Sequence, residues 1–319
     1  MSVAALFASH TPLKDFLAPE AAIVAEVDAC LAGVREWVAD FAPELVVAVG
    51  PDHFNGFFYR LMPSFCIGTE ASSVGDWNTL GGALPTAPEQ ALDCVRALHA
   101  AGVDVAFSHR MEVDHGMTQL LAQVFPQSNT WAHLPPVIPV FVNCAAPPLP
   151  PLVRVRALGA VLGAFAAASG VRVLLAASGG LSHDPPIPQL ASAPPPVRER
   201  LVGGGVLPPE ARAARQQRVL DDAADQVAGV SPRLPPDPAW DRYVLDRIEA
   251  CDLDALCALD DAAITRDGGC GGHEIRAWLA VAAAALAAGC ERFERRYYRA
   301  IPEWITGYGV MTAGPVPAA

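Results

Sequence analysis

Three features of the sequence predict an α/β fold, with helices on both faces of a largely buried central sheet in a three-layer α/β/α sandwich. Short runs of Val, Ile, Leu and Ala recur without polar alternation, as strands buried on both faces require. Longer stretches of helical periodicity separate these runs. Turn-forming residues close the apolar runs, where strand-to-helix connections belong.

In chain order, Val3 to Ala8 is the first strand. Pro19 to Asp40 reads as a helix with acidic residues in its first turn, and Leu45 to Val49 as the second strand. Pro88 to Ala101 is helical, Val137 to Val142 a strand, Val153 to Ser169 a helix and Val171 to Ala176 another buried strand. Asp184 to Glu210 breaks the rhythm: it is rich in Pro and Gly and too long for an ordinary connector, which suits a lid or a subunit-contact loop. An Arg-rich amphipathic helix follows around Ala211 to Val227, then a Pro-containing turn at Ser231 to Pro238 and helices to about Gly289. Only a short PVPAA tail looks irregular at the end. Residues 1–319 thus read as one domain with an insertion at about 184–210.

Size and charge exclude several kinds of work. A chain of 319 residues folds to roughly 12,700 Å² of accessible surface and buries about three quarters of what its unfolded form exposes, so no staples are needed. Basic residues number 22 against 34 acidic, a formal charge of −12, the wrong sign for coating nucleic-acid phosphates. Lys14 is the only Lys, and no Arg cluster is polybasic. The eight Cys show no C-x-x-C pair, which argues for reduced thiols in the cytoplasm and against a zinc module or disulfide framework. The first residues lack a basic n-region, so no secretory signal is expected. The longest apolar stretch, Ala277 to Gly289, is shorter than a bilayer span and mostly Ala, so it reads as a buried helix and no membrane partner is expected. A mean hydropathy of +0.28 fits a homo-oligomer with an apolar interface.

The histidines carry the chemistry. His10 follows the first strand, His53 the second and His183 the strand that starts at Val171. Ligands of open α/β sheets bind beyond the carboxyl ends of strands, so three strands delivering imidazoles there point to one site. His115 sits between Asp114 and Gly116 in a loop, and Glu274 opens the Ala-rich helix after a Gly-rich segment. Two His and one carboxylate leave adjacent positions open on a metal, the facial set of non-haem Fe(II) enzymes that use O2. His273 is a rival to Glu274, but neighbours on a helix point about 100° apart. Asp52 and Asn55 either orient His53 or cap a turn; Phe54, Phe57, Phe58 and Tyr59 either wall an aromatic substrate or pack the core. His99, His109 and His133 read as surface or packing residues.

Five motifs in one order, S-H-x-P, G-P-D-H-F-N-G-F-F, V-D-H-G, S-G-G-L-S-H-D and H-E-I-R-x-W, carry a resemblance. From Ser9 to the C-terminal RYYRAIPEWITGYG the sequence resembles the class III extradiol ring-cleaving dioxygenases of the LigB superfamily. The resemblance implies Fe(2+) held by His10, His53 and Glu274, with His183 as proton acceptor and His115 as proton donor. It also implies an oligomeric enzyme acting with O2 on a catechol that bears a propionate-type side chain. Manganese(II) accepts the same N and O donors. A zinc hydrolase and a non-catalytic scaffold of the same fold are the alternatives.

A carboxylated substrate needs a cation, and a net charge of −12 gives it no general attraction. The expected substrate-binding residues are Asn55, Phe58, Arg296, Tyr297 and Arg299, with Arg215, Arg218 and Arg110 as further candidates for the carboxylate contact.

Overall fold

The computed structural model describes residues 2–125 and 128–314, so the PVPAA tail lies outside the described residues. Its first half runs β1 (Val3–Ala8), α1 (Ala21–Phe41), β2 (Leu45–Gly50), β3 (Phe65–Gly68), β4 (Ala71–Ser73), β5 (Gly82–Ala83), α2 (Pro88–Ala100), β6 (Ala106–Ser108), β7 (Met111–Val113), α3 (His115–Val124) and β8 (Val137–Val142). The second half runs α4 (Leu152–Ala168), β9 (Val173–Ser178), α5 (Pro195–Gly203), α6 (Pro209–Val227), α7 (Pro238–Glu249), α8 (Leu253–Cys257), α9 (Asp261–Gly268), α10 (Ile275–Ala287), β10 (Arg292–Ile301) and β11 (Thr306–Gly314).

Eight strands form one mixed sheet in the order β10-β11-β1-β9-β2-β8-β3-β6. The four inner strands β1, β9, β2 and β8 are parallel, with Ala8 opposite Ser178, so β1 and β9 end flush at one rim. Each inner strand is buried on both faces, and alternate residues feed different layers. Val3, Ala5 and Phe7 join Val47, Val49 and Leu175 under α4 and α10, whereas Ala4, Leu6 and Ala8 join Val46, Ala48 and Leu174 under α1 and α3. This is the three-layer α/β/α sandwich read from the uninterrupted apolar runs. The accessible surface, 13092 Å², is close to that expected of a globular chain this long.

The packing of α10 on α4 matters for the site, because Glu274 immediately precedes α10. A Cβ at Gly159 would lie 2.1 Å from the Ala280 carbonyl oxygen, and one at Gly163 2.0 Å from that of Ala284. The Ala-rich face of α10 therefore sits backbone to backbone on α4. The indole of Trp278 donates to the Gly179 carbonyl at 2.7 Å, which ties α10 to the loop after β9. No helix among the described residues is long and apolar enough to cross a membrane.

Three expectations change. The α1 helix starts at Ala21 with Glu20 at its N-cap, so its first turn holds no acid. The Pro- and Gly-rich segment contains a helix, α5, and its end already belongs to α6. The last described residues form two antiparallel strands that periodicity did not reveal. The reason is physical: β10 is a sheet edge with charged side chains and a bulge between Arg295 and Tyr297, so it lacks a buried strand's apolar run.

Candidate active site

Strands β1, β9 and β2 are neighbours, and the loops leaving their carboxyl ends carry His10, His183 and His53 to one rim of the sheet. His115 is the first residue of α3, where the Asp114 side chain caps the helix by accepting from the Gly116 amide at 2.9 Å. Glu274 ends a single 3-10 turn, Gly271–Glu274, that runs into α10. All five side chains are buried or nearly so.

Each imidazole has its Nδ1 engaged. His10 Nδ1 lies 3.2 Å from the Ser178 hydroxyl, His53 Nδ1 3.1 Å from an Asp114 carboxylate oxygen, and His115 Nδ1 2.5 Å from Asp76. His183 Nδ1 lies 3.0 Å from the Leu181 carbonyl oxygen. A carboxylate or carbonyl only accepts, so the Nδ1 atoms of His53, His115 and His183 carry the protons and donate. Their Nε2 atoms are then the nitrogens turned toward the site. Those of His10, His53 and His183 lie 3.5, 3.1 and 3.4 Å from the Glu274 carboxylate. The same carboxylate accepts from the Gly180 amide at 2.6 Å. A Cβ on Gly271 would fall 2.1 Å from His183 Nε2, so this loop approaches the ring closely only as glycine.

Burial and neighbours divide the charges. Burial takes His10 down to about 3, against the opposing pull of Glu274, so its ring is neutral at pH 7. Burial also opposes charge on His53, but Asp114 and Glu274 outweigh it and raise its pKa well above the usual imidazole value. His183 is raised too, Glu274 prevailing over burial. Glu274 itself, although buried, is held well below the ordinary carboxylate range by His10, His183 and His53. One anion thus sits among four imidazoles.

A pocket opens over this cluster, and His10, His53, His115 and His183 form part of its lining. Its walls include Trp77, Trp304, Ile187, Val219 and Ile305, together with Arg215 from α6. Trp77 and Ile305 hold φ angles of 51° and 47°. Such left-handed conformations cost non-glycine residues about 1–3 kcal/mol each and gather where a site fixes the backbone. Pro185 and Pro186, at the start of the Pro- and Gly-rich segment, line the same pocket.

The expected substrate-binding residues go elsewhere. Arg296 donates to the Thr312 hydroxyl at 2.9 Å and pairs with Glu294 at 3.1 Å, while Tyr297 and Arg299 bind Glu26 at 3.2 and 3.1 Å. All three lie on edge strand β10 and do not line the pocket, so the carboxylate contact expected of them is not one the pocket offers. Phe58 packs with Phe54 and Leu201 in a separate apolar cluster, with Arg200 over its ring. Asn55 stops short of the pocket and donates to Asp114 at 2.8 Å. Asp52 caps the turn, accepting from the amides of Asn55, Gly56 and Phe57, and burial followed by the charge of Asp114 raises it to about 7. His273 turns away to Thr265 and Arg276, at 2.8 and 2.7 Å.

Asp76 went unread in the sequence. It stands 39 residues before His115 in a 3-10 turn, and neither spacing nor periodicity links the two.

The donors suit a metal. Two ligands each about 2.1 Å from one ion lie about 3.0 Å apart at right angles and about 3.4 Å apart at tetrahedral angles, and the Glu274 contacts span 3.1–3.5 Å. His10, His53 and His115 also present nitrogens within 4.8 Å of one another. Asp76, Asp114 and His115 make a second such group, but its carboxylates are engaged in hydrogen bonds to His53 and His115.

Comparison with known proteins adds to this geometry. The family described as the catalytic LigB subunit of aromatic ring-opening dioxygenase matches residues 4–310. A protein of Cupriavidus pinatubonensis, named 2,3-dihydroxyphenylpropionate/2,3-dihydroxicinnamic acid 1,2-dioxygenase, is 48% identical over 307 residues, 96% of each chain. Proteins of the same name from Paraburkholderia xenovorans and Mycolicibacterium smegmatis are 48% and 45% identical, over 97% and 99% of this chain and 96% and 99% of theirs.

Proposed function

The chain belongs to the LigB family of aromatic ring-opening dioxygenases, and on that premise we propose that it cleaves a catechol with O2 beside one of its hydroxyls. The substrate is 2,3-dihydroxyphenylpropionate or its cinnamate analogue, both oxygen atoms enter the product, and that product is a 2-hydroxy-6-oxo-nonadienedioate-type acid of aromatic catabolism. The observation that carries the reading is the shared orientation of the histidines: four Nδ1 atoms engaged outward, and three Nε2 atoms on one carboxylate.

His10, His53 and Glu274 are the residues that would hold Fe(2+). Bound there, ferrous iron supplies chelation of the two catechol oxygens and one-electron chemistry with O2. The neutral ring of His10 offers a lone pair, and Asp114 fixes the tautomer of His53 so that Nε2 faces the site. His183, whose Nδ1–H donates to the Leu181 carbonyl, accepts a catechol proton at Nε2. His115, held by Asp76 through Nδ1, donates a proton from Nε2 as the ring opens. Trp77, Trp304 and the aliphatic wall stack the ring and exclude water. The cytoplasm is the compartment we propose, in keeping with eight unpaired thiols.

The test is protein reconstituted anaerobically with Fe(II), then given O2 and 2,3-dihydroxyphenylpropionate. Oxygen uptake with a yellow ring-opened product is expected; bound iron without uptake on any catechol overturns the reading. In the same assay His115→Gln and His183→Gln keep near wild-type iron while turnover falls about 10²–10⁴-fold. Iron loss in either variant would make that residue a ligand.

A further inference from the structure

Arg215 is the one Arg or Lys that lines the pocket among the described residues. It reaches in from α6, just beyond the Pro- and Gly-rich segment, and is partly buried. One of its donors, Nη2, binds the His53 carbonyl at 2.6 Å. Among the described residues no carboxylate pairs with it and no acceptor takes its other N–H groups. Burial lowers its pKa, and the charges of Asp114, Asp76 and Asp52, near but not in contact, oppose that. Its remaining N–H groups are therefore open to an anion that enters the pocket.

Holding the His53 turn does not account for this side chain. Arg200 already binds the next carbonyl, that of Phe54, at 2.8 Å. Asp52 accepts three amides of the same turn, and Asp114 accepts the His53 amide at 2.8 Å. The other Arg candidates are placed differently: Arg218 lines a separate cavity with Asp184 and Arg233, and Arg110 is exposed beside Ser108. Arg215 alone combines a place on the pocket wall with free donors, and its planar fork matches a carboxylate.

We propose that Arg215 binds the side-chain carboxylate of the substrate and so sets the enzyme's preference for acidic over neutral catechols, an inference that rests on the ring-cleavage reading above. The ring then lies between the histidine cluster and α6, with its anionic tail at the one cation of the wall.

The experiment compares 2,3-dihydroxyphenylpropionate with its methyl ester on iron-loaded wild type, Arg215→Met and Arg215→Lys. Affinity is measured by calorimetry without O2, and kcat/KM by oxygen uptake. The acid-to-ester preference should fall about 10–150-fold in Arg215→Met, the value of a charge-assisted hydrogen-bonded pair, and by less in Arg215→Lys. Equal losses on acid and ester would reveal only support of the His53 turn and overturn the proposal, as would an unchanged preference. If Arg215→Met does not fold, Arg215→Lys decides in the same way, since it keeps the charge and loses the fork. Wild-type protein that cleaves nothing yet binds the acid preferentially, with the preference lost in the variants, would sink the ring-cleavage reading while keeping Arg215 as an anion site.

Discussion

The two walls of the pocket are built differently. One is made of strand ends: His10, His53 and His183 follow β1, β2 and β9, and Glu274 is held by α10 packed on α4 through Gly159 and Gly163. There every imidazole has a hydrogen-bonded Nδ1, so geometry is fixed by the core. The other wall is made of Pro185 to Ile187 and of α6, whose residues are mostly exposed and whose one pocket cation has a single partner. The rigid wall is suited to chemistry and the looser one to choosing among substrates. Substitutions on the first should therefore change metal content or turnover, and those on the second should change substrate preference.

The largest expected effect tests the rigid wall at its centre. Glu274→Gln keeps an oxygen for the Gly180 amide but removes the carboxylate that, among the described residues, touches all three of His10, His53 and His183. Metal affinity should fall by more than the roughly 10–100-fold typical of losing an outer partner, and oxygen uptake should vanish with it. Elemental analysis after dialysis gives the readout; full iron occupancy in this variant would remove Glu274 from the ligand set.

A smaller effect separates two carboxylates that sit alike on two histidines. Asp114 accepts from both the amide and Nδ1 of His53, and Asp76 does the same for His115. If His53 is a ligand and His115 a proton donor, their loss should read out differently. Asp114→Asn should weaken metal binding about 10–100-fold. Asp76→Asn should leave metal content alone and lower kcat by part of the roughly 10²–10⁴-fold that a positioned acid contributes, with little change in KM. Iron titrations and steady-state kinetics on both variants suffice, and identical profiles would mean that His53 and His115 do not have separate roles.

This contrast also explains what the sequence disclosed. A histidine directly after a buried strand is legible because strand ends converge at one rim by topology, so His10, His53 and His183 could be grouped before any coordinates. Glu274 was legible from the Gly-rich turn and the Ala-rich helix that follows it. Asp76 was not, because its contact with His115 spans 39 residues and is made by a turn that holds Trp77 at φ of 51°, a conformation a bulky residue rarely adopts. The Arg candidates could not be ranked, since an arginine on a helix face and one on an edge strand have equal composition signals. Placement alone distinguishes Arg215 from Arg299, and the strand that holds Arg299 was itself hidden by its charged, edge-type pattern.

The smallest expected effect comes from outside both walls and marks where the comparison ends. Arg299 pairs with Glu26 across the surface at 3.1 Å, with both side chains more than two-fifths exposed. An exposed pair of this kind contributes about 0–1 kcal/mol, because water and salt screen the charges and two long side chains lose freedom to meet. Arg299→Met should therefore shift the unfolding midpoint by no more than a few degrees and leave KM for 2,3-dihydroxyphenylpropionate within about twofold of wild type. The same KM measurement on Arg215→Met supplies the contrast. A selective rise for the acid in Arg299→Met would move the carboxylate site to β10, and α6 would then lose its claim to the substrate's tail.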